Sequence, residues 1–585
     1  MPKRWTFYPP SDDVEALARQ INTGPLLTQV LINRGLTTPE ACRGFLNCGY
    51  ETLHRPELMP GLSRAAERIV KAIRGGEKVA IYGDYDVDGL TASATLYQCL
   101  ELAGAPPTVY VPHRIEEGYG LNCDAIRQLA DQGHTLIVTV DCGVTSPEEA
   151  ALARELGVDL IITDHHEPEP VLPDAYVVVD PKLPDSAYPF RDLAGVGIAF
   201  KLAWAVGLHL AGRETCTPEF QRFLTDATSL AALGTIADVV PLVGENRALA
   251  GMGLKSLSNK RYHVGLEAIV ESARLRDDRV REHDVAFIIG PRLNAAGRMG
   301  SAEKALRLLT SATADEAAEI AADLERENRR RQEVEREIFA QAAGMINEQG
   351  GLGDRRTIVL ASPQWHAGVI GIVASRLVEQ YHRPTILIAL EDGQGQGSGR
   401  SIPGFSLFEA LDACSEALLR FGGHAMAAGL RLEAGNVGRL TELMEAYGRK
   451  TIKPADLIPS LTIDSEAVLG AVTVEAIQEL QRLAPFGQGN ARPTFAVRGC
   501  TLATPPKRMG KSGAHMSLQL TQAGVSRRAV WWRAGDQATT LARAASLDVA
   551  FRPRINRFGY KESVELDVLD IHPGGYRDPD ITTDV

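Results

Sequence analysis

Residues 79–89 read VAIYGDYDVDG, a short apolar run followed by three aspartates at alternate positions, Asp84, Asp86 and Asp88. A run of this length that is rich in β-branched residues is typical of a buried strand. Three carboxylates so close together repel one another unless positive charge lies among them. The stretch therefore predicts a strand that delivers carboxylates to a cation.

Apolar strands alternate with amphipathic helical patterns between residues 79 and 240. The expected strands are VAIY (79–82), TVYV (108–111), TLIVTV (135–140), DLIIT (159–163) and AYVVV (175–179). The helical patterns cover residues 89–104, 122–132, 146–156 and 194–211. This α/β alternation predicts a doubly wound parallel sheet, whose ligands bind beyond the carboxyl ends of the strands.

Acidic and imidazole side chains follow several of these elements. They are Asp84 and Asp86 after the first strand, Asp141 after the third, Asp164, His165 and His166 after the fourth, and Asp238 after a helical pattern at 218–236. Carboxylate oxygens suit Mg²⁺ or Mn²⁺, and imidazole favours Mn²⁺. The set holds enough ligands for two ions about 3.5–4 Å apart, the arrangement of phosphoryl-transfer sites.

Each of these residues also has an ordinary structural interpretation. Aspartate is a common N-cap, and Asp88 is expected to cap the helix that follows it. A single aspartate after a strand, such as Asp141 or Asp180, is more often a turn residue, and Asp180 is interpreted as structural. A metal centre explains the whole set better than separate structural roles do.

Length and composition exclude several classes of protein. A chain of 585 residues with 44% hydrophobic and 23% charged residues is expected to form three or four globular domains. The sequence has no apolar run typical of a signal peptide or a membrane span, and its eight cysteines form no C-x-x-C pair, so a cytoplasmic protein with reduced thiols and no membrane association is expected. A net charge of −12 argues against a protein that coats nucleic acid over its whole surface.

The C-terminal part is nevertheless basic. Between Arg498 and Lys561 there are twelve Lys or Arg residues and two acids, Asp536 and Asp548. The same region has short β-patterns and carries the aromatic residues Trp531, Trp532, Phe551, Phe558 and Tyr560. These features favour an oligonucleotide-binding (OB) barrel, although a solvated surface on a small β-domain is the plainer interpretation. The residues expected along a DNA path are Lys507, Arg508, Lys511, Arg527, Arg528, Arg552 and Arg554.

Four motifs, GDYDVDG, VTVDCG, TDHH and GTIADVVPL, resemble in this order those of the DHH phosphoesterase superfamily. Four later stretches resemble its bacterial single-strand-specific exonucleases, and the likeness extends over residues 60–575. They are GPRLNAAGRMGS (290–301), WHAGVIGIVASRL (365–377), GSGRSIPGF (397–405) and FGGHAMAAGL (421–430).

The resemblance implies a role for each residue of the centre. The implied ligands of two Mn²⁺ (or Mg²⁺) ions are Asp84, Asp86, Asp141, His165 and Asp238, with Asp141 bridging the ions. His166 corresponds to the residue that faces the reacting phosphate, and Asp164 would orient it. Many smaller members have a histidine where this chain has Ala80, so one ion is expected to be held by fewer ligands.

The resemblance also implies a pocket for a 5′-terminal phosphate. The corresponding residues are Arg114, Arg298, Ser398 and Arg400, while His366 and His424 are expected to contact phosphate or seal the interface between lobes. Arg114 has an alternative interpretation as an ion-pair partner of Glu116 or Glu117.

The implied organisation is a DHH metal-binding catalytic domain, a second α/β DHH-associated domain and an OB-fold. The expected bounds are an N-terminal segment at 1–55, the catalytic domain at 56–309, a connector helix at 310–350, the DHH-associated domain at 351–455, the OB-fold at 456–575 and a tail at 576–585. Trp5, Phe7 and Tyr8 of the N-terminal segment are expected to pack against the catalytic domain.

The implied activity is metal-dependent hydrolysis of single-stranded DNA from the 5′ end, with release of 5′-mononucleotides, in recombination and repair. Single-strand-binding protein and a helicase are the partners that the family suggests. One alternative is a phosphodiesterase of short oligonucleotides or cyclic dinucleotides, which usually lacks a basic barrel. The other is a non-catalytic scaffold for single-stranded DNA, in which lost metal ligands are expected.

Overall fold

The computed structural model describes residues 3–114, 117–118, 120–260, 263–275, 279–300, 302–310, 313–558 and 561–576. Its first lobe, from Leu62 to Thr310, is built on a five-stranded sheet in which every strand pair is parallel. In spatial order the strands are Thr108–Tyr110, Val79–Gly83, Leu136–Val140, Asp159–Thr163 and Val177–Val179. All five strands predicted from the sequence are therefore present.

Helices cover both faces of this sheet, as a doubly wound fold requires. Apolar residues of the helices Leu62–Gly75, Val87–Leu102 and Gly195–Ala211 form the core on one face, and those of Cys123–Asp131 and Pro147–Glu155 form the core on the other. The further helical elements are Pro218–Ala237, Gly244–Ser258, Val264–Ser272, Glu282–Asp284, the π-helical turn Val285–Ile289, Gly290–Met299 and Glu303–Thr310.

A 35-residue helix, Ala314–Glu348, joins the first lobe to the second and is called the connector helix. Its N-terminal half contributes Ala317 and Leu324 to a core of the first lobe, and its C-terminal half contributes Ile338 and Ile346 to the core of the second. Ten of its fifteen charged residues lie between these two sets of contacts, at 325–337. The connector helix is thus packed into both lobes.

The second lobe contains a mixed five-stranded sheet. Its spatial order is Arg420–Gly423, Ala427–Glu433, Gln394–Arg400, Thr385–Glu391 and Ile358–Ser362, and only the last pair is parallel. Its helices are Ala367–Tyr381, Leu407–Asp412 and Val437–Thr451, with single 3₁₀ turns at Ser415–Ala417, Ala434–Asn436 and Pro454–Leu457.

The C-terminal strands close into a five-stranded barrel, because the long strand Phe495–Met509 pairs with strands on both of its sides. The other barrel strands are His515–Gln522, Val525–Trp531, Leu547–Phe558 and Lys561–Pro573, and a short strand Ser465–Glu466 pairs at the edge. The helices of this region are Val474–Gln481 and Ala538–Leu541, with a 3₁₀ turn at Gly535–Gln537. The barrel confirms the predicted OB-fold.

The start of the N-terminal segment packs against the barrel, so the expectation that Trp5, Phe7 and Tyr8 pack against the catalytic domain is wrong. Its strand Arg4–Phe7 pairs in parallel with Ser460–Ile463, and buried Trp5 contacts Ile463, Ala496 and Ala550. Its helices Val14–Ile21, Pro25–Asn33 and Pro39–Leu46 share the hydrophobic core of the barrel, and 3₁₀ turns at Tyr50–Thr52 and Pro56–Leu58 lead into the first lobe. Among the described residues no helix has both the length and the apolar character needed to cross a membrane.

Candidate metal centre and its surroundings

The carboxyl ends of three neighbouring strands bring the acidic residues together. Asp84, Asp141 and Asp164 each come directly after a strand of the first lobe. The backbone N–H of Asp141 donates to the carbonyl of Thr163 at 3.0 Å, and that of Asp164 donates to the carbonyl of Val179 at 3.1 Å. These bonds extend the sheet by one residue and fix the backbone of Asp141 and Asp164.

His165 lies at the middle of the acidic cluster. Its Nε2 is 3.0 Å from Asp141 Oδ1, 3.6 Å from Asp238 Oδ2 and 3.8 Å from Asp88 Oδ2. Three overlapping groups have potential ligand atoms within 4.8 Å of one another: Asp84, Asp86 and Asp141; Asp88, His165 and Asp238; and Asp141, His165 and His166. All five predicted metal ligands therefore lie within one cluster.

The electrostatics of this cluster call for added positive charge. Burial, and then the charge of Asp86, raise the pKa of Asp84 to about 8, while burial together with Asp88 and Asp86 raises the pKa of Asp238 to about 9. Burial and the same neighbouring carboxylates also raise the pKa of Asp141 well above its usual value. A divalent cation would remove this penalty.

The donor set fits Mn²⁺ or Mg²⁺. Burial and the neighbouring His166 lower the pKa of His165 to about 3, so its imidazole is neutral and offers a lone pair. Asp84 Oδ1 is buried and has no hydrogen-bond partner among the described residues. Carboxylate oxygens with one imidazole are the ligands expected for these ions.

Asp164 holds His166 in place. Its Oδ1 accepts hydrogen bonds from the backbone N–H of His165 at 2.7 Å and from His166 Nδ1 at 2.7 Å, and its Oδ2 accepts from the backbone N–H of Val144 at 2.9 Å. Burial alone would lower the pKa of His166, but the Asp164 hydrogen bond and charge outweigh it and raise that pKa to about 9. His166 is therefore a cation at neutral pH, and it lies beside the candidate ligands.

The expectation that Asp88 caps its own helix is wrong. Asp86 is the N-cap of the helix Val87–Leu102, since its Oδ1 accepts from the backbone N–H groups of Asp88 and Gly89 at 2.8 and 3.2 Å. Asp88 is fully buried and instead accepts from the backbone N–H groups of Gly195 and Val196 at 2.7 and 2.9 Å. It therefore ties the start of a second helix, Gly195–Ala211, to the acidic cluster.

Two glycines allow the helices to approach the centre this closely. A Cβ at Gly195 would lie 2.7 Å from Asp141 Oδ1, and a Cβ at Gly234 would lie 2.5 Å from Asp88 Oδ1. Both distances are shorter than any side chain tolerates. The sequence alone did not reveal these close approaches, because the contacting residues are far apart in the chain.

Arginines converge on the boundary between the lobes. Burial, followed by the charges of Arg114, Arg331 and Arg400, lowers the pKa of Arg298 to about 9. Arg114 lies over the ring of Tyr85, with its guanidinium carbon 4.7 Å from the ring centroid. Positive charge outweighs negative charge in this group, as it should in an anion site. Arg331, on the connector helix, was not expected there.

The second lobe supplies the remaining polar groups of this site. Arg400 Nη1 donates to Ser398 Oγ at 3.2 Å, and a Cβ on Gly371 would lie within 3.1 Å of both side chains. Arg298 Nη1 donates to the carbonyl of Gly368 at 3.3 Å, which joins the two lobes here. Ser398, Arg400 and Arg298 are therefore close to one another, as the resemblance implied.

The two histidines predicted near phosphate differ in their surroundings. His366 is half-buried and caps the helix Ala367–Tyr381, with its Nδ1 accepting from the backbone N–H of Gly368 at 3.1 Å. Gly368 in turn accepts from Arg298, so His366 adjoins the arginine cluster. His424 is exposed on the second lobe, and its backbone N–H donates to Ala427.

The alternative interpretation of Arg114 concerns Glu116 and Glu117. Glu117 accepts hydrogen bonds from Tyr110 Oη, Asn122 Nδ2 and the backbone N–H of His113. Glu116 lies outside the described residues. The carboxylate of Glu117 is thus occupied by neutral donors, which argues against the Glu117 alternative, and Arg114 lies over an aromatic ring.

The barrel is less basic than the sequence between Arg498 and Lys561 indicates, because its last strand adds acidic residues. Lys561–Pro573 carries acids that the count up to Lys561 omitted, and it pairs with the basic strand Leu547–Phe558. Buried Glu565 makes ion pairs with both Arg528 (3.3 Å) and Arg554. Much of the positive charge on this face is therefore neutralised within the sheet.

The other predicted DNA-path residues divide into two groups. Lys507, Arg508 and Lys511 are all exposed at the hairpin between the first two barrel strands. Arg527 and Arg552 are half-buried, and Arg527 Nε donates to the carbonyl of Val472 at 3.3 Å. Of the aromatic residues, Phe551 is core and Trp532 is 46% exposed, whereas Tyr560 and the side chain of Phe558 lie outside the described part of the chain.

Comparison with known proteins identifies first the class and then the family. Residues 78–235 match the DHH family, N-terminal domain, residues 354–450 match the DHHA1 domain, and residues 463–570 match the RecJ OB domain. The single-stranded-DNA-specific exonuclease RecJ of Bacillus subtilis is 38% identical over 570 residues, which cover 97% of this chain and 70% of that protein.

Two solved structures have the same fold throughout. The crystal structure of RecJ in complex with Mn²⁺ from Thermus thermophilus superposes with a TM-score of 0.83 at 32% identity, covering 97% of this chain and 79% of that one. The corresponding Mg²⁺ complex gives a TM-score of 0.76 at 31% identity, with 97% and 78% covered. The chain is a DHH-superfamily protein and belongs to the RecJ family.

Proposed function

We propose that this protein is a metal-dependent exonuclease that hydrolyses single-stranded DNA from its 5′ end and releases 5′-mononucleotides. The observation that carries the proposal is the adjacency of two clusters of like charge, carboxylates in the first lobe and arginines at the lobe boundary. The first fits divalent cations and the second fits phosphate. Both lie in a chain of the RecJ family.

We assign the metal ligands to Asp84, Asp86, Asp141, His165 and Asp238. Two Mn²⁺ or Mg²⁺ ions, when bound, would activate water and neutralise charge on the scissile phosphate. Asp86 caps a helix with its Oδ1, so its other oxygen, Oδ2, would face an ion. The capping bond holds this carboxylate in a fixed orientation, which favours ordered metal binding.

His166 would stabilise charge on the reacting phosphate. Its imidazolium is fixed by the bond from Nδ1 to Asp164, so Nε2 points a donor away from that carboxylate. A preorganised cation beside the scissile group lowers the energy of the more highly charged transition state. Asp164 acts through His166 and is therefore a positioning residue.

The arginine cluster would define the direction of cleavage. Arg114, Arg298 and Arg400, with Ser398, would hold the terminal 5′-phosphate by charge-assisted hydrogen bonds. A strand anchored by its end presents the next phosphodiester to the metal centre, so one nucleotide would leave in each cycle. His366 would contribute to this pocket, and His424 would contact the strand on the second lobe.

The basic hairpin of the barrel would guide the strand toward the cleft. Lys507, Arg508 and Lys511 are available for phosphates, and Trp532 offers an exposed ring for base stacking. Arg527, Arg528, Arg552 and Arg554 are assigned to the same path. The charges of Arg528 and Arg554 are compensated by Glu565, and Arg527 and Arg552 are half-buried. We further propose single-strand-binding protein and a helicase as partners, a role in recombination and repair, and a cytoplasmic location consistent with eight free cysteines.

The test uses long single-stranded DNA labelled at either end, a matching duplex and a cyclic dinucleotide, each with Mn²⁺. Wild-type protein should release the 5′ label at once as mononucleotide and leave the duplex intact. Asp141→Asn should be inactive while folding normally, because Asn tolerates the positive φ of 64° at this position. Asp174→Asn, which alters an exposed aspartate of the same lobe, is the control and should be fully active.

Other outcomes would identify the competing functions. Intact DNA with hydrolysed dinucleotide would indicate a small-molecule phosphodiesterase. DNA that is bound but not cleaved would indicate a scaffold. Early release of a 3′ label would contradict the proposed direction.

The anchoring role of the arginines has a separate test. Arg400→Lys keeps the charge but loses the two-pronged geometry, so KM for 5′-phosphorylated DNA should rise about tenfold or more. The same variant should process 5′-hydroxyl DNA at nearly the wild-type rate. Equal losses on both substrates would show that Arg400 does not bind the terminal phosphate.

A further inference from the structure

The backbone just after Asp238 forms a turn with a strained conformation, which contacts with neighbouring residues must stabilise. Asp238 ends the helix Pro218–Ala237, and its N–H donates to the carbonyl of Gly234 at 2.9 Å. The next residue, Val239, is β-branched, has a φ of +64° and is 60% exposed. A β-branched side chain is strained in this region, so neighbouring contacts must hold the turn.

The holding contacts come from residues 482–490, here called the brace loop. The brace loop lies between the helix Val474–Gln481 and the barrel strand Phe495–Met509. The backbone N–H of Leu242 donates to the carbonyl of Gln488 at 2.8 Å. The segment after Asp238 is therefore hydrogen-bonded to the chain that enters the barrel.

Two glycines of the brace loop fit closely around this segment. A Cβ at Gly487 would lie 2.7 Å from Leu242 Cδ1, and a Cβ at Gly489 would lie 3.2 Å from Pro241 Cβ. Gly489 also has a φ of +68°. Residues larger than glycine would displace Pro241 and Leu242, which are three and four residues from Asp238.

Arg247 fixes the brace loop from the first lobe. Its side chain is 2% exposed, and its guanidinium carbon is 4.0 Å from the ring centroid of Phe45. The guanidinium donates to the carbonyls of Leu483 (2.6 Å), Ala484 (2.9 Å), Phe45 (3.0 Å), Arg482 (3.2 Å) and Pro485 (3.4 Å). A buried cation that contacts five carbonyls is a rigid attachment, since moving the loop would leave it unsatisfied.

The neighbouring Asn246 connects the same segment to the other side of the centre. Its Nδ2 donates to the carbonyl of Pro241 at 3.1 Å, and its Oδ1 accepts from the backbone N–H of Ala194 at 3.3 Å. Ala194 immediately precedes Gly195, whose N–H binds Asp88. The end of the helix Pro218–Ala237, which carries Asp238, and the start of the helix Gly195–Ala211, which contacts Asp88, are thus connected through the hydrogen bonds of Asn246.

We propose that Arg247 and the brace loop position Asp238, and thereby determine how tightly the centre holds the ion that Asp238 would bind. The inference rests on the metal-binding role proposed above for Asp238. Arg247 is a positioning residue, because its contacts reach Asp238 only through the segment 239–246. The contact between the barrel and the first lobe would therefore affect the affinity of the metal centre for its ion.

The experiment compares three variants of the full chain. Arg247→Lys removes the guanidinium fork, and Gly487→Ala presses on Leu242 while leaving every bond of Arg247 intact. The matched control is Arg34→Lys, because the guanidinium carbon of Arg34 lies 5.8 Å from the centroid of the same Phe45 ring that Arg247 contacts, but its side-chain hydrogen bond goes to the carbonyl of Ala491 (2.7 Å), just beyond the brace loop, and not to residues 482–490. Mn²⁺ binding is measured by calorimetry without DNA, beside thermal unfolding in chelator and the Mn²⁺ dependence of hydrolysis.

Arg247→Lys and Gly487→Ala should each raise the Kd of one of the two Mn²⁺ ions, the one that Asp238 would bind, about tenfold, as expected when a group supporting a metal ligand is lost. The Mn²⁺ concentration for half-maximal hydrolysis should rise in parallel, while kcat at saturating Mn²⁺ stays close to wild type. Arg34→Lys should leave the Kd within about twofold.

If both variants have an unchanged Kd and a lower unfolding temperature, the proposal is overturned, and the brace loop contributes only to the stability of the fold. If Arg247→Lys does not fold, Gly487→Ala decides the question alone. Wild-type protein that binds no Mn²⁺ would instead refute the proposed metal centre, which is a different result.

Discussion

The acidic cluster of the first lobe and the sheet of the barrel surround their carboxylates in opposite ways. In the first lobe, the carboxylates of Asp84 and Asp238 are gathered with others of like charge, and their pKa values are raised. In the barrel, Glu565 is buried between Arg528 and Arg554. Like charges held together mark a place where a ligand completes the structure, whereas charge compensated within the sheet is part of the fold.

The largest effect should follow from removing a carboxylate of the acidic cluster. Asp84→Asn should lower kcat by about 10³-fold, because a bound ion contributes several kcal/mol to the transition state. The same change should raise the unfolding temperature in chelator, since a buried carboxylate with a raised pKa destabilises the fold at pH 8. Calorimetry in chelator and an end-label assay measure the two effects. A lower unfolding temperature would show that Asp84 stabilises the metal-free lobe.

The second effect is a pH dependence of metal affinity. Below the pKa values of Asp84 (about 8) and Asp238 (about 9), Mn²⁺ must displace protons, so its affinity should rise as pH rises from 6 to 8. The rise should approach about tenfold per pH unit for each proton released. In chelator the folded state binds more protons than the unfolded state, so stability should fall as pH rises toward 9. Saturating Mn²⁺ keeps these carboxylates deprotonated in the folded state, so it should abolish this trend. An affinity independent of pH would contradict the raised pKa values.

The third prediction concerns the loss of the Glu565 carboxylate, which compensates the charges of two arginines in the barrel. Glu565→Gln should destabilise the protein by about 1–2 kcal/mol, because two arginines lose a charged acceptor but remain partly solvated. It should also strengthen DNA binding at low salt. The slope of log K against log salt should become steeper by about 0.7 for each arginine that gains a phosphate contact. Catalysis at saturating DNA should not change.

The matched control for that change is Glu562→Gln, whose carboxylate pairs with exposed Arg557 at 2.9 Å. It should alter stability by less than about 0.5 kcal/mol. Similar losses from both variants would show that burial of Glu565 makes no difference.

The smallest effect concerns the exposed lysine at the tip of the barrel hairpin. Lys511→Ala should weaken single-strand binding only a few-fold and reduce the slope of log K against log salt by about 0.7, with no change in unfolding temperature. Fluorescence anisotropy with labelled DNA at several salt concentrations measures this slope. An unchanged slope would exclude Lys511 from the DNA path.

Sequence by itself determined the parallel sheet and the residues at its edge. Strand lengths, helical periodicity and the position of each aspartate after a strand are local properties, and the carboxyl ends of parallel strands must meet. For the same reason Asp84, Asp141 and His165 could be grouped from the sequence, whereas Asp238 follows a helix and was added to the group as a further acidic candidate. The connector helix was also recognisable from its length and charge, although not its packing into both lobes.

Tertiary structure alone decided which partner each polar group has. Asp86 and Asp88 look equivalent in the chain, yet one caps its own helix and the other binds Gly195, more than a hundred residues away. Tertiary structure also decided three other contacts: the ion pairs of the barrel arginines with Glu565, the packing of Trp5 on the barrel, and the hydrogen bonds of Arg247 to the brace loop. Hydrogen bonds and ion pairs between distant segments depend on how elements pack, and no local pattern of residues records that packing.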